Sequence, residues 1–212
     1  MEDYYDIESI FDPERIEAYM HKYSAEDRIM YADRYLSQYA LLEGELENAT
    51  EQYNRLIGKR DVALKASETF EPIVFGGDID RMSARAVNAI YAIDEYGPKY
   101  LKIQEECRFK KSCIEMSLQL LPHNDDNEYL DANLISNRLK LIKEDDLGLS
   151  GLNFFKTILK TKYLSNRFNP DNRDVCKKLN INRTQAKRYL ERALKYVYVP
   201  EEVFPDYFSG YY

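Results

Sequence analysis

"SAEDRIMYADRYLSQYALLEGELENATEQYNRLIGKRDVALKA" occupies Ser24–Ala66. It holds no proline, and Leu36, Tyr39, Leu42, Leu46, Ala49, Tyr53, Leu56 and Ala63 recur at steps of three and four. That period puts them on one side of a helix. "SAED" sets Ser24 as an N-cap with an acid three residues on. Gly44 and Gly58 weaken a helix interior without ending it. The stretch predicts a single amphipathic helix of roughly 40 residues.

"SETFEPIVFGGD" at Ser67–Asp78 breaks the pattern with Pro72 and the pair Gly76-Gly77. A second long pattern starts at Ile79 and runs through Met82, Ala86, Ala89, Ile90, Ile93, Tyr96, Tyr100, Ile103, Cys107, Ile114 and Leu118. Gly97-Pro98 is expected to kink it or split it, and Pro122 closes it. Two long helices joined by one loop predict an antiparallel hairpin. Such a pair buries its stripes on one side only. Tyr39, Leu46, Tyr53, Ile90 and Ile93 are therefore expected at an oligomer interface, with a homodimer favoured.

The bulk composition agrees with an all-α chain. Its 212 residues include only 8 Gly and 7 Pro, so elements should be long. Few runs alternate strictly, which disfavours strands. There are 19 Tyr and no Trp. The acidic N-terminus has no apolar core of a signal peptide, and no window reaches the roughly 20 apolar residues of a membrane span. Cys107, Cys113 and Cys176 have no metal-ligand spacing and read as reduced thiols of a cytoplasmic protein.

Five regions follow. Residues 1–23 form an acidic aromatic arm with a short helix from Pro13 to Tyr23, and 24–122 form the hairpin. Residues 123–151 form a polar linker, with a short helix from Asp131 through Lys143. Residues 152–199 carry a basic module, and 200–212 form an acidic aromatic tail.

The net charge of −7 hides this division. Phe155–Tyr196 holds 12 Lys or Arg against 3 Asp or Glu, a local +9 that leaves −16 for the rest. A basic module on an acidic body is the charge pattern of a localised phosphate footprint. Within it, Leu152 to about Phe168 predicts a helix with Phe155, Ile158, Leu159, Tyr163 and Leu164 inward. "NPDN" predicts a turn, and Asn172 or Asp171 caps a short helix with Val175 and Leu179 inward. "NIN" predicts a tight connection holding Ile181. Arg183–Val197 predicts a third helix with Ala186, Leu190, Ala193, Leu194 and Val197 inward. This is helix–turn–helix spacing. Arg183, Thr184, Gln185, Lys187 and Arg188 face outward at the start of the third helix, and their types suit base edges in the major groove. Arg173, Lys177, Lys178 and Arg192 suit phosphates.

The stretches "KYL" (Lys162–Leu164), "LNINRTQAKRY" (Leu179–Tyr189) and "RAL" (Arg192–Leu194) resemble the sigma-factor region-4-like helix–turn–helix at the end of phage transcriptional regulators of the RinA/ArpU/LtrA type. "ADRYLSQYALLEGELENATEQYNRL" resembles their long first helix, and "GGDIDRMSARAVNAIYAIDEYGPKYLKIQEE" the loop and second helix that follow. The resemblance spans roughly 32–121 and 152–197. It implies a phage or prophage regulator that binds double-stranded promoter DNA in a bacterial host and can touch RNA polymerase. The 30-odd residues from Pro122 to Gly151 and the acidic aromatic ends depart from that pattern. They keep open an inhibitor or adaptor of a host protein, and a DNA-recognition subunit of phage packaging machinery.

No glycine-rich phosphate loop, HExxH or nucleophile elbow occurs, so no enzyme is expected. His21 and His123 stand alone, and "DDNEYLDAN" lacks the glycine and terminal Glu of a calcium loop. No metal or cofactor is expected. The tail "VPEEVFPDYFSGYY" directly follows the basic helix with opposite charge and is expected to fold back over it, the alternative being that its aromatics dock on another protein.

Overall fold

The computed structural model describes residues 7–68, 78–121, 154–164, 172–205 and 208. Among these there are seven α-helices and no strand: α1 Ile7–Ile10, α2 Pro13–Lys22, α3 Ala25–Glu68, α4 Asp78–Gln119, α5 Phe154–Leu159, α6 Asn172–Leu179 and α7 Arg183–Leu194. A π-helical turn, Lys160–Leu164, extends α5. No helix is long and apolar enough to cross a membrane among the described residues. The expected linker 123–151, most of the hairpin loop and the first three residues of the "NPDN" turn lie outside them.

α3 and α4 form the expected antiparallel hairpin. Tyr35 Oη lies 2.9 Å from Ser117 Oγ, and the Tyr39 hydroxyl donates to Glu115 at 2.7 Å. Further along, Cys107 Sγ lies 3.7 Å from Glu45, and the Tyr53 ring lies beside Gly97. The partners ascend one helix as they descend the other. Ser24 caps α3 as its sequence predicts, accepting the Asp27 N–H at 3.1 Å. Of the two outcomes expected at Gly97-Pro98, the split does not occur: α4 continues through Pro98 as one helix. Pro98 is exposed, so its ring projects into solvent away from the seam.

Contacts divide the chain into two units. Leu42–Phe109, the distal hairpin, is one; Met1–Leu41 with Lys110–Tyr212 is the other. The hairpin base thus belongs with the arm, the basic module and the tail.

In that larger unit the core runs through Tyr35, Leu36, Ile114, Leu118, Phe155, Ile158, Leu159, Val175, Leu179 and Val197, all nearly or wholly buried. α5 is enclosed on almost every side, since Thr157 and Thr161 are buried together with its apolar residues. The Tyr163 hydroxyl, in the π turn, donates to the Asp33 carboxylate of α3. A π turn widens the helix by one residue per turn, which shifts the side chains of Lys160–Leu164 relative to an α-helical continuation.

The tail corrects an expectation: its described acids and aromatics, Glu201, Glu202, Phe204 and Phe208, are held by α2 and α3. Glu202 pairs with Arg15 at 2.6 Å and Glu201 with Lys22 at 2.7 Å, both partners on α2. Phe208 packs among Tyr19, Tyr23 and Tyr31, with ring centroids 6.4, 5.5 and 4.7 Å away. Phe204 sits edge-on to Tyr35 at 4.8 Å. Tyr198, just before the tail, donates to the Ile10 carbonyl at 3.1 Å and meets Phe11 and Tyr19 edge-on. Arm and tail therefore close over each other. The physical reason is that the arm offers both cations and a tyrosine surface, whereas the exposed face of α7 offers cations alone.

The buried phenols of Tyr19, Tyr35, Tyr163 and Tyr198 make stability pH-sensitive. Burial first, and then Glu202, push the Tyr198 phenol up to about 12. Burial pushes Tyr19, Tyr35 and Tyr163 up as well. The folded chain holds these protons more tightly than the unfolded chain, whose phenols titrate near about 10. The stabilisation is complete below that value and is lost as pH rises through the folded-state range. The urea midpoint should be flat from pH 8 to about 9 and fall steeply between about 10 and 12. A flat midpoint through that window would contradict the buried-phenol core.

Candidate nucleic-acid interface

The turn between α6 and α7 is built by three residues. Asn180 adopts φ 47°, the left-handed region that asparagine tolerates better than most side chains. This lets the Ile181 N–H reach back to the Cys176 carbonyl at 3.1 Å, closing the end of α6. Ile181 is buried as the apolar anchor of that closure. Asn182 then caps α7, accepting the Gln185 N–H at 2.8 Å, while Gln185 Oε1 accepts the Asn182 N–H at 3.2 Å. The capping box fixes where α7 begins. Asn180→Val should lower stability by about 1–2 kcal/mol, the cost of a branched side chain in the left-handed region, and Asn180→Gly should be neutral or mildly stabilising. Chemical unfolding of both variants checks this. Equal stability of the two would remove the turn from the account.

α7 is two-sided. Ala186, Tyr189, Leu190, Ala193 and Leu194 are buried. Arg183, Thr184, Lys187 and Arg188 are exposed. At about 100° per residue these four fall within one side of the helix. Lys187 lies 3.8 Å from Glu191, a solvated pair one turn on, and the Arg188 guanidinium sits 5.5 Å from the Tyr189 ring centroid. On α6, Val175 and Leu179 are buried while Arg173, Lys177 and Lys178 are exposed. Arg192 is half-buried in the last turn of α7. α7 packs on both α5 and α6. On α5, burial and then the neighbouring Lys160 pull the Lys156 ammonium below its ordinary range.

The structure thus brings four of the five expected base-reading residues onto one open surface. Gln185 is different. It is half-buried, and its carbonyl oxygen is engaged in the capping box. Bidentate pairing with adenine needs that oxygen as acceptor together with the amide as donor. While the box is closed, Gln185 holds the helix start. Asn180 and Asn182 have no place in the expected set of site residues, although N-x-x-Q at Asn182–Gln185 carries the spacing of a capping box.

Of the expected interface residues, Tyr39 is engaged within the chain, with Glu115 on its hydroxyl and the Lys111 ammonium 4.7 Å from its ring centroid. Tyr53 and Ile93 both lie against Gly97 at the hairpin seam. Leu46 is half-buried and Ile90 exposed. Among the described residues, no group of three or more His, Cys, Asp or Glu is placed to hold a metal. Compared with known proteins, the chain matches no protein-family model, no curated protein and no solved structure.

Proposed function

We propose that this chain is a double-stranded DNA-binding protein that lays the exposed side of α7 into the major groove. One observation carries the reading. A helix that buries Ala186, Tyr189, Leu190, Ala193 and Leu194, held by a three-residue turn and a capping box, presents Arg183, Thr184, Lys187 and Arg188 together on its free side. Arg183 and Arg188 pair with guanine O6 and N7, Thr184 meets a thymine methyl, and Lys187 serves either a base or a phosphate. Arg173, Lys177, Lys178 and Arg192 take phosphates and set register. The chemistry is recognition without catalysis. Coupled with the resemblance to phage regulators, it supports a promoter-binding transcription regulator working in a bacterial cytoplasm, with RNA polymerase a candidate partner of the promoter-bound protein.

The salt dependence of duplex binding tests this. Affinity should fall linearly with salt on logarithmic axes. Lys177→Ala and Lys178→Ala should each reduce the slope by about 0.9, the value of one phosphate contact, and weaken all duplexes alike. A slope near zero, or lysine variants with the wild-type slope, would overturn the proposal.

A further inference from the structure

The distal hairpin, Leu42–Phe109, consists of α3 and α4 segments alone among the described residues. Its buried apolar side chains there are Leu42, Ala49, Ala86 and Cys107, four of modest size. That is little to offset the ordering of two long helices, which draw most of their stability from a packed apolar side. Meanwhile Leu64, Val87, Ile90, Tyr91 and Leu101 remain exposed, Tyr91 to 67%.

These five share one face, whereas the exposed Val62, Tyr96 and Ile103 lie on other sides of their helices. The seam on α3 is marked by Leu42, Ala49 and Tyr53, and on α4 by Ala86, Ile93 and Gly97. Stepping about 100° per residue, Leu46, Ile57 and Leu64 sit rotated forward from the α3 seam. Val87, Ile90, Tyr91 and Leu101 sit rotated forward from the α4 seam. The helices run in opposite directions. Seen from one end, a forward rotation is therefore clockwise on one and anticlockwise on the other, and both strips turn to the same broad side. Extending the pairing of Tyr53 with Gly97 puts Leu64 level with Val87 and Thr50 level with Leu101. A shallow groove of about 550 Å³ adjoins this side, lined by Leu46, Glu47, Thr50, Glu51, Asn54 and Arg55.

Charge selects the occupant. In α3, Leu42–Gln52 contains Glu43, Glu45, Glu47 and Glu51 and no Lys or Arg. The next stretch, Tyr53–Lys65, contains Arg55, Lys59, Arg60 and Lys65 against the single acid Asp61. An α3 helix so polarised is complementary to itself run backwards. A parallel neighbour would set like charges side by side.

We infer that a second copy of this chain packs on this face, related by a two-fold axis that crosses the hairpin near Arg55. The product is an antiparallel four-helix bundle. Leu46 meets the partner's Leu64, Val87 meets the partner's Leu101, and Glu47 lies beside the partner's Lys65, while Asp94 comes near its own copy at the axis, so Asp94→Asn should tighten the dimer. The interface is isologous, so every such contact occurs twice. It is independent of the DNA reading.

Sedimentation equilibrium of the full chain at tens of micromolar tests it. The mass should be twice 25.1 kDa. Val87→Glu with Leu101→Glu should give a monomer that keeps the helicity of the base and basic module and loses part of that of the distal hairpin by circular dichroism. Glu47→Lys and Lys65→Glu should each weaken the dimer about three- to tenfold, as expected for two exposed ion pairs reversed. The double variant E47K/K65E should recover to within about twofold, because each copy then offers the swapped charge to the other. A wild-type monomer overturns the inference, and so does a dimer indifferent to Val87 and Leu101. Failure of the double variant to recover overturns the antiparallel register.

Discussion

Phe204→Ala is expected to destabilise the protein by about 3–5 kcal/mol, the usual loss for emptying a buried aromatic site. Phe204 is 6% exposed and rests edge-on against Tyr35, itself fully buried. Tyr35 hydrogen-bonds Ser117 across the hairpin base, so the cavity opens directly onto the contact that joins α3 to α4. The ion pairs nearby should matter far less. Arg15 and Glu202 are each 46% exposed, and Arg15→Ala should cost under about 1 kcal/mol because solvent screens the pair. Urea unfolding of the two variants side by side separates the contributions. A Phe204→Ala loss below about 1 kcal/mol would mean that the tail is not part of the core. Truncation after Val199 should be at least as damaging, since it also removes Phe208 from the Tyr19, Tyr23 and Tyr31 cluster.

Replacing both Arg183 and Arg188 by Ala should abolish discrimination between the preferred duplex and a scrambled one. Each arginine is expected to contribute about 1–3 kcal/mol to specific binding, the worth of a bidentate guanine contact. Both are exposed and on the free side of α7, so the fold should tolerate the change. Gln185→Ala provides the contrast. It removes one half of the capping box, and should lower stability by about 0.5–1 kcal/mol with little change in the preferred sequence. Fluorescence anisotropy on the two duplexes, with thermal melts of the same samples, reads both effects. Wild-type discrimination in the double arginine variant would detach α7 from DNA recognition.

Much of the fold is legible where the signal is local. Ser24 followed by Asp27 marks the start of α3, and the spacing of Ala186, Leu190, Ala193 and Leu194 marks the buried side of α7. What escapes is settled at long range. Lys22 and Glu201 are 179 residues apart, and nothing in the tail says whether its acids will meet Lys22 or Lys187. Ile90, Tyr96 and Ile103 obey a helical period yet are exposed, because a period reports a side of a helix and not the width of the surface that covers it. Pro98 is a breaker by local rules, but the turns on either side hold α4 together. Gln185 has two competing uses, base reading and helix capping, and the distance to Asn182 decides between them.

Selection from a random duplex pool, run with the wild-type chain and with R183A/R188A in parallel, asks whether α7 reads base sequence. The wild type should enrich a short motif containing guanine, and the double variant should enrich none while keeping weak, salt-sensitive binding through Arg173, Lys177 and Lys178. No enrichment by the wild type, or the same motif enriched by both proteins, would contradict base reading by α7.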